Sequence, residues 1–207
     1  LRHGLLSPRT LLAHAVWIGE DEEAYVAAHG ATIVTCPSSS AFTAGGIPPV
    51  GRWLAAGINV ALGSDGPMVN DSVHLLGLAR ECFLLQNVRS LTPAVIPIPS
   101  LWEMISRSPA RALGLDGQLG EIRVGAPADL AIFDLSDPVY GGRLEPETNV
   151  ILSGSGRPAR TVMVGGQVVK DQGGVLTVDV SATLAEARER AIELAGRADI
   201  HRQHSPL

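Results

Sequence analysis

The stretch VALGSDGPMVND, residues 60–71, decides the fold prediction because it joins an apolar strand to a solitary carboxylate. The apolar run at residues 58–62 stops at Gly63, and Asp65 follows between Gly63 and Gly66. Strands that are apolar throughout are typical of parallel sheets covered on both faces. Functional side chains of such sheets lie at the carboxyl ends of the strands. We therefore expect Asp65 at a sheet rim, with flanking glycines that turn the backbone sharply and leave the carboxylate uncovered.

Two upstream apolar runs repeat this arrangement. LLAHAVWI, residues 11–18, carries His14, and ATIVTCP, residues 31–37, is followed by three serines, residues 38–40. Helices are predicted at residues 19–30, with acids in the first turn and a final glycine, and at residues 47–57. A third helix is predicted at residues 72–88 from its apolar spacing. Three strand–helix units predict part of a (β/α) barrel or of a doubly wound sheet, with His14, the serines and Asp65 at one rim.

Each of these polar residues also has an ordinary structural interpretation. A single aspartate after a strand is often a helix N-cap or a turn residue, and three serines can simply form a turn. His14 taken alone could be a hydrogen-bonded core histidine. Cys36 and Cys82 have no base beside them in the sequence and are predicted to be small core residues.

The second half of the chain changes in character. A helix is predicted at residues 100–115, capped by Ser100 with Glu103 in a capping box and ended by Gly114. Short β-like runs follow, among them NVILSGSG at residues 149–156, and Gly165-Gly166 is predicted to be a hairpin turn. The predicted divisions are an α/β unit at residues 1–115, an all-β unit at 116–180, and an amphipathic helix with a frayed tail at 181–207.

Composition restricts the class of protein. The 207 residues are 45% hydrophobic, yet no apolar run approaches the roughly 20 residues of a membrane span, so no membrane partner is expected. A formal charge of −5 and a pI near 5.6 argue against nucleic acid as a partner. Two cysteines without a disulfide framework predict a reducing, cytoplasmic location. The opening LRHGLL is typical of a helix end closed by Gly4, so the chain is expected to be a fragment of a longer protein.

Together these segments resemble the carboxyl-terminal half of a metal-dependent amidohydrolase. The motifs are LLAHAVWI, TCPSSS…GGIPPV, GINVALGSDGPMVND and SPARALGL…GEIRVGAPADLAIFD, and the resemblance runs from about residue 5 to residue 174. The branch it indicates includes guanine and 8-oxoguanine deaminases and atrazine and hydroxyatrazine hydrolases. The resemblance implies a (β/α)₈ TIM barrel whose sixth, seventh and eighth strands end near His14, Cys36 and Gly63. It also implies a small composite β-sandwich, of which the later strands are present here, followed by a C-terminal helix.

The resemblance also implies roles for single residues. Asp65 resembles the aspartate of strand eight, which binds a divalent metal and takes a proton from the attacking water. His14 resembles the histidine of strand six at the same metal centre. The metal is expected to be zinc, with iron as the alternative, and Ser38, Ser40 and Asn70 are expected to contact substrate. The family's histidine pair of strand one, and its histidine and glutamate of strand five, have no counterpart in this sequence and are expected upstream of Leu1.

The main functional hypothesis is an incomplete chain of an aminohydrolase acting on C–N bonds of a small heterocycle such as a purine or an s-triazine. A related activity is hydrolysis of a cyclic amide such as an imidazolone. The alternative is a catalytically inactive remnant that binds partners or completes a heteromeric barrel. A homodimer of the full-length parent is also expected to be possible, because the apolar helix at residues 73–88 could serve an interface as well as a core.

Overall fold

The computed structural model describes residues 4–70, 72–142 and 144–197. The chain folds into two compact units, and each unit consists of two separate stretches of the sequence. One comprises Leu1–Pro127 with Asp134–Pro158, and the other comprises Ala128–Phe133 with Ala159–Leu207. The division of the chain at residues 115 and 180 remains a prediction.

The first unit carries a three-stranded parallel sheet in the order β1-β2-β3. Helices connect the strands and follow the last one, as predicted for consecutive strand–helix units. The strands are β1 (Leu11–Ala13), β2 (Thr32–Thr35) and β3 (Asn59–Leu62); the helices are α1 (Glu20–His29), α2 (Pro37–Phe42), α3 (Val50–Ala55) and α4 (Leu75–Ser90).

The predicted burial of the strands is confirmed for β2 and β3 and wrong for β1. Ile33 and Val60 are almost fully buried, whereas Leu11 is 45% exposed. Within the described residues β1 pairs with β2 alone, so one of its edges has no strand beside it. The predicted strand TLLAHAVW, residues 10–17, also stops at Ala13, because His14 and Ala15 have φ of 63° and 50°, which extended backbone does not tolerate.

The helices α1 and α4 confirm the predicted helices. Four acids occupy the first turn of α1, and Gly30 follows its end in the left-handed conformation, φ 66°. His74 caps α4, since its Nδ1 accepts the Gly77 N–H at 3.2 Å. The buried side of α4 includes Leu76, Leu78 and Cys82.

The single helix predicted at residues 100–115 is in fact two helices, α5 (Ile98–Ile105) and α6 (Arg107–Ala112). Pro109 has no N–H to donate to the Ile105 carbonyl, and the backbone breaks at Ser106. The predicted Ser100 cap is wrong, because α5 begins after Pro97 and Ser100 lies inside its first turn. The predicted end is confirmed, with Gly114 at φ 72° after α6.

One segment predicted to be β-like is helical. Residues 149–152 lie in α7 (Pro146–Leu152), which belongs to the first unit and buries Asn149, Val150 and Ile151. A short apolar run does not distinguish a strand from a buried helix turn by periodicity alone. Residues 116–180 are therefore not all-β, and Pro146 in the first turn is the local signal for the helix.

The second unit is a four-stranded antiparallel sheet in the order β4-β5-β6-β7, followed by a helix. Gly165 and Gly166 have φ of 55° and 83° and join β5 to β6, which confirms the predicted two-residue hairpin turn. The predicted tail at residues 199–207 lies outside the described residues. The elements are β4 (Leu130–Ile132), β5 (Thr161–Val164), β6 (Gln167–Asp171), β7 (Gly174–Val175) and α8 (Val180–Arg197).

Over the part of the chain that the structure describes, no helix has the combined length and apolarity that crossing a membrane requires.

Candidate functional site

His14 and Asp65 meet at the carboxyl end of the parallel sheet. His14 directly follows β1, and Asp65 lies three residues beyond β3. The His14 Nε2 and Asp65 Oδ2 atoms are 3.5 Å apart, with the two side chains 42% and 32% exposed. The structure thus brings together the two side chains that the sequence places at one rim.

Both residues have a left-handed backbone, with φ of 63° at His14 and 59° at Asp65. Residues with a β-carbon rarely adopt this conformation because it crowds the following carbonyl oxygen. Such outliers cluster at functional sites, where the surrounding structure holds them in place. At His14 the holding contact is its N–H, which donates to the Val34 carbonyl at 2.9 Å.

The glycines around Asp65 do not have the role predicted for them. The left-handed turn is made by Asp65 itself, and Gly66 has an ordinary extended backbone with φ −76° and ψ 149°. Gly63 is needed for space, because a β-carbon there would lie 2.8 Å from Val34 Cγ1 and 3.3 Å from Cys36 Sγ. The Gly66 N–H donates to Asp65 Oδ1 at 2.7 Å.

Two hydrogen bonds favour the ionised form of the Asp65 carboxylate. The Ser39 hydroxyl donates to Oδ2 at 2.6 Å, and the Gly66 N–H donates to Oδ1. The Ser39 bond is the larger cause, and the Gly66 bond the next, that lower the Asp65 pKa from its ordinary value; partial desolvation opposes them and His14 adds to them. At neutral pH the site therefore presents a charged acceptor.

The cysteine beside this site is a buried thiol, as predicted. Burial first, and then the charge of Asp65, raise the pKa of Cys36 to about 11, against a small opposing hydrogen bond. Burial raises the pKa of Cys82 to about 12. Neither Cys36 nor Cys82 is therefore a thiolate at neutral pH.

His14 and Asp65 line a cleft of about 410 Å³ together with Ser39, Ser40 and Trp17. The Trp17 side chain is 84% exposed there. Of the residues predicted to contact substrate, Ser40 is in this cleft. Ser38 and Asn70 line a separate cleft of about 480 Å³ with an apolar lining that includes Phe42 and Leu78.

Ser38 and Asn70 have partners away from Asp65. The Ser38 hydroxyl donates to the Glu81 carboxylate, and the Asn70 amide donates to the Ser64 carbonyl at 2.6 Å. The substrate contacts predicted for Ser38, Ser40 and Asn70 stay a prediction.

Ser39 is the site residue that sequence reasoning missed. The predicted substrate contacts include Ser38 and Ser40 but not Ser39, whereas α2 begins at Pro37 and gives each serine its own direction. Residues i and i+4 share a helix face, and Thr43 lines the same cleft as Ser39. The Cys-Pro pair before the serines is the available signal, because proline favours the first turn of a helix.

The site fits part of a metal-ligand set. Two donors about 2.1 Å from a tetrahedral zinc ion lie about 3.4 Å apart, close to the 3.5 Å between Nε2 and Oδ2. Imidazole and carboxylate donors suit zinc and iron. Among the described residues, however, no group of three or more His, Cys, Asp or Glu side chains could hold a metal ion. Catalytic zinc has at least three protein ligands, so His14 and Asp65 form an incomplete set.

These features define an α/β protein with its candidate site at the carboxyl rim of a parallel sheet. The chain belongs to the amidohydrolase family, whose model matches residues 2–169. The family resemblance predicted from the sequence is thereby confirmed.

Curated relatives include two deaminases that are matched over most of this chain. The chain is 34% identical over 186 residues to a 5-methylthioadenosine/S-adenosylhomocysteine deaminase of Nitratidesulfovibrio vulgaris, covering 90% of this chain and 42% of the relative. It is 36% identical over 176 residues to a deaminase of the same name from Pyrococcus furiosus, covering 85% and 42%. The chain thus spans less than half the length of these relatives.

Solved structures show the same relationship. An adenosine deaminase from Xanthomonas campestris with bound zinc matches with a TM-score of 0.91 and 25% identity, covering 94% of this chain and 44% of the other. An atrazine chlorohydrolase from Arthrobacter aurescens TC1 complexed with zinc matches with a TM-score of 0.85 and 28% identity, covering 91% and 42%. Deaminases and a triazine hydrolase are the kinds of protein in the predicted branch.

Proposed function

We propose that this chain supplies His14 and Asp65 to a metal-dependent hydrolase that acts on C–N bonds of a nitrogen heterocycle. The 3.5 Å approach of His14 Nε2 to Asp65 Oδ2 at the sheet rim carries the proposal. Hydrolytic deamination of an adenine-type ring is the first candidate reaction, because relatives matched over 85–90% of the chain are named for it. An s-triazine substrate is the second candidate, supported by the structural likeness to atrazine chlorohydrolase.

The same comparisons support a proposal for the fold of the parent protein. Strands β1, β2 and β3 correspond to the sixth, seventh and eighth strands of a (β/α)₈ barrel, and β4–β7 to part of a composite sandwich. We propose that the other metal ligands come from residues outside the part of the chain that the structure describes. Zinc is the proposed metal, because neighbouring structures are described with zinc bound. When bound, zinc lowers the pKa of a coordinated water to about 7 and so provides the nucleophile.

Asp65 moves the proton in this proposal. Its carboxylate, which accepts hydrogen bonds from Ser39 and Gly66, takes a proton from the attacking water and delivers it to the departing amino group. The water oxygen bonds to the ring carbon, the C–N bond breaks, and ammonia leaves with the transferred proton. His14 lies on the Oδ2 side of the carboxylate, where its imidazole can stabilise charge that develops on the attacking oxygen.

The test compares Asp65→Asn with Asp116→Asn in the complete protein that contains this chain. Asp116 is a matched control because its side chain is 65% exposed. Ammonia release from adenosine and 5′-methylthioadenosine is the measurement, with circular dichroism as the check on folding. Since positioned acid–base groups contribute about 10²–10⁴-fold, Asp65→Asn should reduce kcat/KM at least about 100-fold and Asp116→Asn should not.

Two outcomes would contradict the proposal. Retained activity in a folded Asp65→Asn variant would make Asp65 a turn residue only. No ammonia release from either nucleoside or from an aminotriazine, together with no bound metal, would favour the inactive remnant.

A further inference from the structure

We propose that Ser39 is a positioning residue that fixes the Asp65 carboxylate with Oδ2 turned toward His14. The inference rests on the proposed function in one respect, namely that Asp65 is the functional carboxylate. It assigns this task to Ser39 and not to Ser38, because the Ser39 hydroxyl donates to Oδ2 at 2.6 Å while the Ser38 hydroxyl donates to Glu81.

Asp65 needs a contact from outside its own segment. It lies beyond the end of β3 with a left-handed backbone, and the donor from its own segment is the N–H of the next residue, Gly66. A single contact on Oδ1 allows the carboxylate to pivot about that atom. A second donor on Oδ2, from a different element, fixes the plane of the group. Each carboxylate oxygen has two acceptor positions, so one on each oxygen stays available for a ligand or a proton.

Ser39 is itself held firmly enough to serve as that donor. Its residue is 4% exposed and lies in the first turn of α2. The Thr43 hydroxyl and N–H both donate to the Ser39 carbonyl, at 2.8 Å and 3.0 Å. The hydroxyl that orients Asp65 is therefore attached to packed structure, as a group that supports a functional side chain must be.

Crystal structures of the Ser39→Ala, Ser39→Thr and Ser38→Ala variants of the complete protein that contains this chain test the inference directly. In Ser39→Ala we expect the Asp65 carboxylate to turn and the Oδ2–Nε2 separation to exceed the present 3.5 Å. Ser39→Thr keeps the hydroxyl and should preserve the orientation. Ser38→Ala removes a hydroxyl from the same helix without touching Asp65 and should preserve it too. An unchanged Asp65 in Ser39→Ala, or a turned Asp65 in a folded Ser39→Thr, would overturn the inference.

Cobalt binding gives a second measurement, by isothermal titration with Co²⁺ in place of zinc. Loss of a residue that orients a ligand costs about 10–100-fold in metal affinity, so Ser39→Ala should bind Co²⁺ that much more weakly while Ser38→Ala does not. Asp65→Ala is the reference. Undiminished affinity in Ser39→Ala beside a loss in Asp65→Ala would overturn the inference. If Asp65→Ala binds Co²⁺ as well as the wild type, the metal part of the proposed function fails, and the crystallographic orientation still decides the role of Ser39.

Discussion

The two glycines on either side of Asp65 differ in what surrounds them, and substitution should show the difference. Gly63→Ala would place a methyl group 2.8 Å from Val34 Cγ1 and should lower the free energy of unfolding by about 1–3 kcal/mol. Gly66→Ala is the matched control, because no atom outside residues 65–67 lies within 4 Å of the added β-carbon and the Gly66 φ of −76° suits alanine. Urea unfolding measures both. Equal losses for the two variants would contradict the packing argument at Gly63.

The lowered pKa of Asp65 predicts how acid affects stability. Because the folded pKa lies below the unfolded one, ionised Asp65 stabilises the fold above the unfolded value of about 4. That contribution is lost as the pH falls through the lower folded pKa. Asp65→Asn cannot titrate, so its melting temperature should fall less steeply over that acidic range than the wild-type value. Parallel melting curves against pH would show that Asp65 is not linked to folding.

The sequence predicts the position of a site residue only where that residue follows the end of a recognisable strand. His14 and Asp65 each follow an apolar run, and parallel strands bring such ends to one rim. The left-handed backbone at both residues was not predictable, because local preference assigns that conformation to glycine and two glycines stood beside Asp65. To predict that Ser39 faces the site, the first residue of α2 must be known, because a shift of one residue would turn a different serine toward the site.

At the scale of elements, Glu23 connects α1 to α3. Its Oε1 accepts from Arg52 Nη2 at 2.7 Å and from the buried Trp53 Nε1 at 2.9 Å. Glu23→Ala would leave the Trp53 N–H buried without its acceptor, which should cost about 1–3 kcal/mol of unfolding free energy. Glu20 binds the same Arg52 from a 79% exposed position, so Glu20→Ala should leave stability nearly unchanged. Denaturant unfolding of the two variants compares them, and similar losses would show that the ion pairs, rather than the indole donor, matter.

Elements with local boundary signals were predicted well, and elements defined by packing were not. The acids and glycine of α1 and the glycine pair between β5 and β6 act within a few residues, so the sequence specifies them. The helix α7 resembles a strand because consecutive buried residues suit both structures. The exposure of β1 depends on the absence of a neighbouring strand within the described residues, which its own apolar residues do not reveal.

At the scale of the whole molecule, chain order conceals which segments pack together. Asp134–Pro158 returns to the unit of the parallel sheet after β4 has joined the antiparallel one. The change of composition along the sequence predicts a single switch from α/β to β structure. Composition does not indicate that a later segment packs again with the first unit. Contacts such as that of His74 Nε2 with the Arg157 carbonyl, 83 positions apart in sequence, determine the return instead.

One edge of β1 has no neighbouring strand among the described residues, and this predicts that the isolated chain associates in solution. Leu11 is 45% exposed on that strand, and an apolar cleft of about 520 Å³ that includes Leu5, Leu12 and Ile18 lies beside it. Exposed strand edges with apolar neighbours favour pairing with a second copy. Light scattering coupled to size-exclusion chromatography should show an average mass that rises with concentration.

Two lysine substitutions identify the edge responsible for this association. Leu11→Lys places a charge on β1 and should reduce association, because lysine on an edge strand opposes pairing. Val175→Lys, at a 42% exposed position in β7 of the other sheet, is the matched control and should not reduce it. Reversed effects would assign the association to the antiparallel sheet. A wild-type chain that stays monomeric at all concentrations would mean that the apolar surface beside β1 is too small to draw two copies together.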